Sequence, residues 1–173
     1  MGNSLAKDEI QIFLERLSLH YTQPVKLYLL GGSALCYLGS PRRTVDIDCT
    51  IEGSTQALVA TVESITNDLK MEVEIVPIDE FIPLPPEFEN RHHPAGQFGS
   101  IKVYVFDPYS IALSKLARGF DTDIQDVLFL LEHEFVELDI LIAFVEAALP
   151  MAWDYDIDPD EMKRYLDLVK SLL

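Results

Sequence analysis

Two clusters along this chain combine residue types that can do chemistry, and their order matters. The first runs Leu27-Tyr28-Leu29-Leu30-Gly31-Gly32-Ser33-Ala34 and closes at Arg43-Thr44-Val45-Asp46-Ile47-Asp48. An apolar run bounded by glycine suits a short buried strand. Gly31 and Gly32 permit positive φ and let backbone approach a ligand closely. Ser33 then opens a segment long enough for one or two helical turns, whose first N–H groups lack internal partners and favour an anion. From Val45 to Thr50 the chain alternates, with Val45, Ile47 and Cys49 on one face and Asp46, Asp48 and Thr50 on the other. Two carboxylates that close repel unless a cation lies between them. Mg²⁺ takes hard oxygen ligands, commonly one or two carboxylates plus substrate phosphates.

Further along, Glu72 and Glu74 share one face of a third alternating run, and either can supply a third carboxylate; Glu74 is preferred. The second cluster is Asp107-Pro-Tyr-Ser-Ile-Ala-Leu-Ser-Lys115-Leu-Ala-Arg118-Gly119, followed by Asp121-Thr-Asp123-Ile-Gln-Asp126. Lys115 sits among apolar helix positions, so it either extends its ammonium to the surface or points into a cleft. Asp123 and Asp126, three apart on the next helix, can orient Lys115 or Arg118 through charge-assisted hydrogen bonds.

The glycine–serine pair followed by Asp-x-Asp resembles the DNA polymerase β-like nucleotidyltransferase superfamily. Twelve residues separate Ser33 from Asp46, a slightly longer gap than is usual there. With the downstream Lys115–Asp126 pattern, the chain resembles the small bacterial branch related to abortive-infection and type IV toxin–antitoxin nucleotidyltransferases, over roughly residues 20 to 135. The resemblance implies a Mg²⁺- or Mn²⁺-dependent transfer of a nucleoside monophosphate from an NTP to a hydroxyl on a protein, RNA or small molecule. It implies Asp46 and Asp48 as metal ligands and Glu74 as the third catalytic acid. It also implies Gly31, Gly32, Ser33 and Lys115 as nucleotide contacts, with Asp123, Asp126 and Arg118 behind Lys115. Arg42 and Arg43 lie on the loop before the acidic strand, where one of them can touch phosphate, and Arg43 is preferred. A second reading keeps the fold without the catalysis, as an antitoxin-like or nucleotide-binding partner of another protein.

The elements that must position these residues follow from periodicity. Ile10, Phe13, Leu14 and Leu17 mark an amphipathic helix over residues 5 to 19. Strands are expected at 26–30, 45–51, 71–76 and 101–106, and a helix from a Ser54 cap to about Leu69. The proline-dense stretch from Phe81 to Gly99, with His92-His93-Pro94, reads as one long loop. Four helices follow: one opened by Asp107-Pro108, one by a Thr122–Gln125 capping box, one over 136–149, and a last one opened by Asp158-Pro159. The expected class is α+β: a small mixed sheet backed by helices with a helical C-terminal extension.

At 173 residues the length suits a single domain, with a core at 20–135 and an acidic extension at 136–173. Thirteen basic and 29 acidic residues give −16, and no Lys or Arg occurs from Asp121 to Met162. Nucleic-acid binding needs basic surface, so a polyanion is not expected as a direct partner, whereas a basic protein is. No apolar run is long enough for a membrane span. The N-terminus lacks a secretory pattern, and Met1-Gly2 is no myristoylation signal because Ala6 stands where Ser or Thr is wanted, so a cytoplasmic location is expected. Cys36 and Cys49 have no metal-ligand spacing and read as buried thiols.

Overall fold

Alternation along the strands determines what the sheet buries. The computed structural model describes residues 4–173, so the Met1-Gly2 start lies outside the described residues. The chain folds into two units.

The first unit takes the chain up to Val76 and then His93–Phe106. It holds α1 (Lys7–His20), β1 (Val25–Leu30), α2 (Gly31–Tyr37), β2 (Asp46–Glu52), α3 (Gln56–Leu69) and β3 (Glu72–Ile75). After the excursion into the second unit come β4 (His93–Phe98) and β5 (Ile101–Val105). The five strands form one mixed sheet in the order β3-β2-β1-β5-β4. β1 runs antiparallel to β2 and parallel to β5, β2 parallel to β3, and β4 antiparallel to β5. Leu27, Leu29, Ile47, Cys49, Val103 and Val105 are buried, as their alternation requires. The buried stripes of α1 (Ile10, Phe13, Leu14, Leu17) and α3 (Leu58, Val62, Ile65) complete this core. The expected α+β class, a mixed sheet backed by helices, is what the chain forms.

The second unit comprises Pro77–His92 and Asp107–Leu173. It contains the short α4 (Ile78–Phe81), a 3-10 turn at Phe88–Arg91, α5 (Pro108–Arg118), α6 (Asp121–Glu132), α7 (Leu138–Ala148), a 3-10 segment Leu149–Tyr155 and α8 (Pro159–Leu172). The C-terminal helices expected as an extension from 136 therefore share a unit with α5 and α6. Asp107 caps α5, accepting from Tyr109 N at 3.2 Å, and Pro108 follows at the first helical position. Arg91 clamps that cap, its Nε and a terminal nitrogen each 2.9 Å from an Asp107 oxygen. Among the described residues, no helix is long and apolar enough to cross a membrane.

Four local expectations are corrected. The supposed loop before Gly99 contains β4, whose Pro94 and Gly96 hide its alternation. A proline is tolerated there because β4 is an edge strand, and the ladder shifts register between Pro94 and Gly96. The α3 cap is Thr55, whose hydroxyl accepts from Leu58 N at 3.2 Å, not Ser54. α6 starts at Asp121, and the expected Thr122–Gln125 box is replaced by Asp123 accepting from Phe120 N at 3.2 Å. Val45 stands outside β2 and is 61% exposed.

Candidate functional site

β2 carries the acids, and its neighbours determine what meets them. Asp48 is the register partner of Leu30 on β1 and of Glu74 on β3, while Asp46 pairs with Glu72. Oxygens of Asp46, Asp48 and Glu74 all lie within 4.8 Å of one another, the aspartates half-buried and Glu74 exposed. Glu72 is not in this group. Three carboxylates at that spacing repel strongly unless a cation offsets them, and an all-oxygen set suits Mg²⁺ or Mn²⁺ over softer metals. Cys49, on the opposite face of the same strand, is buried, and burial pushes its thiol up to about 12.

The glycine turn belongs to the same corner. Gly31 has φ +54°, and a Cβ there would stand 2.5 Å from Asp48 Oδ2. A Cβ at Gly32 would lie 2.6 Å from Thr44 Oγ1 and 3.2 Å from a terminal nitrogen of Arg42. The two glycines are thus required for different reasons: one for conformation and the acid beside it, the other for clearance. The donor set and its spacing fit a divalent cation.

Ser33 is fully buried, and its hydroxyl lies 2.7 Å from Leu30 O and 3.0 Å from Asp48 O. The hydroxyl of this residue, expected as a nucleotide contact, fastens α2 to the two strands carrying the site. Arg43 also faces elsewhere. Its Nε donates to Ser4 Oγ at 2.8 Å and a terminal nitrogen to Ser4 O at 2.7 Å, and that nitrogen lies 3.2 Å from Glu9. The arginine beside the glycine turn is Arg42, whose Nε donates to Arg43 O at 3.2 Å. Thr44 is buried, pairs its backbone with Leu5, and places Oγ1 3.5 Å from Asp46 Oδ1. The sequence offers Arg42 and Arg43 together and gives Thr44 no role of its own. The available signal was the alternation Arg42-x-Thr44-x-Asp46-x-Asp48, which continues the acidic face backwards beyond the strand.

Lys115, Arg118, Asp123 and Asp126 come together within the second unit. Lys115 Nζ lies 3.2 Å from Asp123 Oδ1 and 2.9 Å from Asp126 Oδ2, with all three side chains buried. Arg118 grips Asp123 with two bonds, of 2.8 and 2.7 Å. Burial pushes the Asp123 carboxyl up, but the Arg118 hydrogen bonds and the Lys115 and Arg118 charges outweigh it and hold it below the ordinary range. The expected orienting of Lys115 and Arg118 by the two aspartates is thus seen as geometry, and it ties α5 to α6.

Residues 9–170 match a family described as "Nucleotidyltransferase of unknown function (DUF6036)". No curated protein matches the chain. Among solved structures, the chain is similar to an antigenic nucleotidyltransferase-like protein from Paracoccidioides brasiliensis, at 18% identity and a TM-score of 0.46, covering 72% of this chain and 76% of that one.

Proposed function

The chain belongs to this nucleotidyltransferase family, and on that premise we propose that it moves a nucleoside monophosphate from an NTP to a hydroxyl, using a divalent cation. The observation that carries the reading is the grouping of Asp46, Asp48 and Glu74 within 4.8 Å beside a turn where any side chain would strike Asp48.

Asp46, Asp48 and Glu74 would hold the cation, Mg²⁺ or Mn²⁺, which when bound supplies charge neutralisation to the phosphates and acidity to an adjacent hydroxyl. The Gly31–Gly32 turn, at the start of α2, would offer the triphosphate backbone N–H groups. Arg42, beside Gly32, supplies positive charge to the departing pyrophosphate and takes the role expected of Arg43. Ser33 and Thr44 position: one pins α2 to the Asp48 backbone, the other buttresses Asp46. Glu74, the exposed acid, faces the incoming hydroxyl and accepts its proton on a carboxylate oxygen. The hydroxyl oxygen then bonds to the α-phosphorus, the bond from that phosphorus to the α–β bridging oxygen breaks, and pyrophosphate leaves with the electron pair. Lys115, with both partners buried around it, serves in this account to organise α5 and α6.

A ligand that binds only the folded state raises its stability by mass action, by about 2.7 kcal/mol at a hundredfold excess over Kd. An NTP with Mg²⁺ or Mn²⁺ should therefore raise the melting temperature, and Asp48→Asn should remove the metal-dependent part of the shift. No shift of the wild type with any NTP at millimolar concentration contradicts the reading.

A further inference from the structure

The charge of this protein is divided unequally. The second unit holds 19 of the 29 acidic residues and 6 of the 13 basic ones, a net of −13, leaving −3 for the first. From Gly119 to Met162 there is no Lys or Arg. Within that stretch stands the only tryptophan, Trp153, 69% exposed, with Met151 at 44%. Tryptophan is enriched at the centre of protein interfaces, and so large an exposed ring is unusual on a free surface.

The ring is displayed from a fixed frame. Its neighbour Ala152 is buried, as are Ile157 and Met162. Ile157 N donates to Ala152 O at 2.9 Å, and Asp156 turns the chain in the left-handed region at φ 56°. With the backbone fixed and only two side-chain torsions to order, covering the ring costs little conformational entropy. Around it Asp154, Asp156 and Asp158 are exposed. They do not converge as metal ligands: among the described residues, the group of three acids with ligand atoms within 4.8 Å is the one on the sheet. A row of separated negative charges beside a rigid indole matches an extended cationic surface. It repels a polyanion, and it repels a second copy of so acidic a chain.

We infer that the Leu149–Tyr155 segment with Trp153 at its centre is a docking site for a basic segment of another protein, whose Arg or Lys side chains pair with Asp154 and Asp156 while a guanidinium or apolar group covers the indole. This inference stands apart from nucleotidyl transfer and survives if that reading fails.

The test uses the whole protein and a synthetic peptide of Arg and Leu, with the matching Glu and Leu peptide as control. Trp153 emission reports this site alone. The basic peptide should give a saturable emission shift at one peptide per chain, weakening about tenfold as salt is raised from ~0.05 to ~0.5 M. By calorimetry, Trp153→Ala and the pair Asp154→Asn, Asp156→Asn should each weaken binding about tenfold, the size of losing one well-placed contact. The same change in net charge on α3, by Glu63→Gln with Asp68→Asn, should leave affinity within about twofold. Equal weakening by the α3 pair reduces the effect to general charge attraction and overturns the proposal. So do binding of the acidic peptide, absence of any emission shift, or a dimer that Trp153→Ala dissolves.

Discussion

At the scale of residues, the site depends on what is missing. Gly31 lacks the Cβ that would stand 2.5 Å from an Asp48 oxygen, and its φ of +54° is one that other residues adopt with strain. Gly31→Ala should therefore destabilise the first unit by about 1–2 kcal/mol from backbone strain alone. Because the methyl also displaces Asp48, the variant should lose the NTP–metal melting shift completely even at temperatures where it is folded. Circular dichroism melts with and without NTP and Mn²⁺ separate the two effects. A variant that keeps the full ligand shift would show that Asp48 does not need that space.

At the scale of elements, β1, α2 and β2 were readable because strand alternation and a double glycine are local signals. Which glutamate completes the acidic group was not readable. Alternation puts Glu72 and Glu74 on one face, and only the β2–β3 register, with Asp48 opposite Glu74, separates them. Arg42 and Arg43 are inseparable in the sequence for a related reason. Adjacent residues diverge, and it took the Leu5–Thr44 bridge to turn Arg43 toward Ser4 and Glu9. β4 was missed because an edge strand can hold a proline and a bulge that erase its pattern. In the second unit, α5 and α6 are joined by the buried Lys115–Asp123–Asp126 cluster with Arg118 outside it. Asp123 has a carboxyl held below its unfolded value near 3.9, so it contributes stability at neutral pH that is lost as pH falls through its lower folded value. Asp123→Asn should lower stability by about 3–5 kcal/mol at pH 7, as a broken buried pair does. The loss should shrink as pH falls below about 4, where the wild type forfeits the same interaction. Urea melts of both proteins across pH 3 to 7 check this, and parallel pH profiles would contradict it.

At the scale of the whole molecule, acid is concentrated in one unit and the candidate site lies in the other, which has 7 basic and 10 acidic residues. A −13 unit in the same chain disfavours a long polyanionic acceptor, so protein or small-molecule hydroxyls are the expected recipients. The most direct test is transfer itself: incubation of the protein with α-labelled NTPs, Mg²⁺ or Mn²⁺ and a cell extract, followed by protease or nuclease digestion of whatever is labelled. Label should move to a protease-sensitive or small-molecule acceptor. Loss of charge neutralisation in the transition state should cut transfer by at least about a hundredfold in Asp46→Asn, Asp48→Asn and Glu74→Gln, while Glu72→Gln keeps most of it. Transfer that survives Asp46→Asn and Glu74→Gln, or no transfer by the wild type with any NTP, contradicts the account.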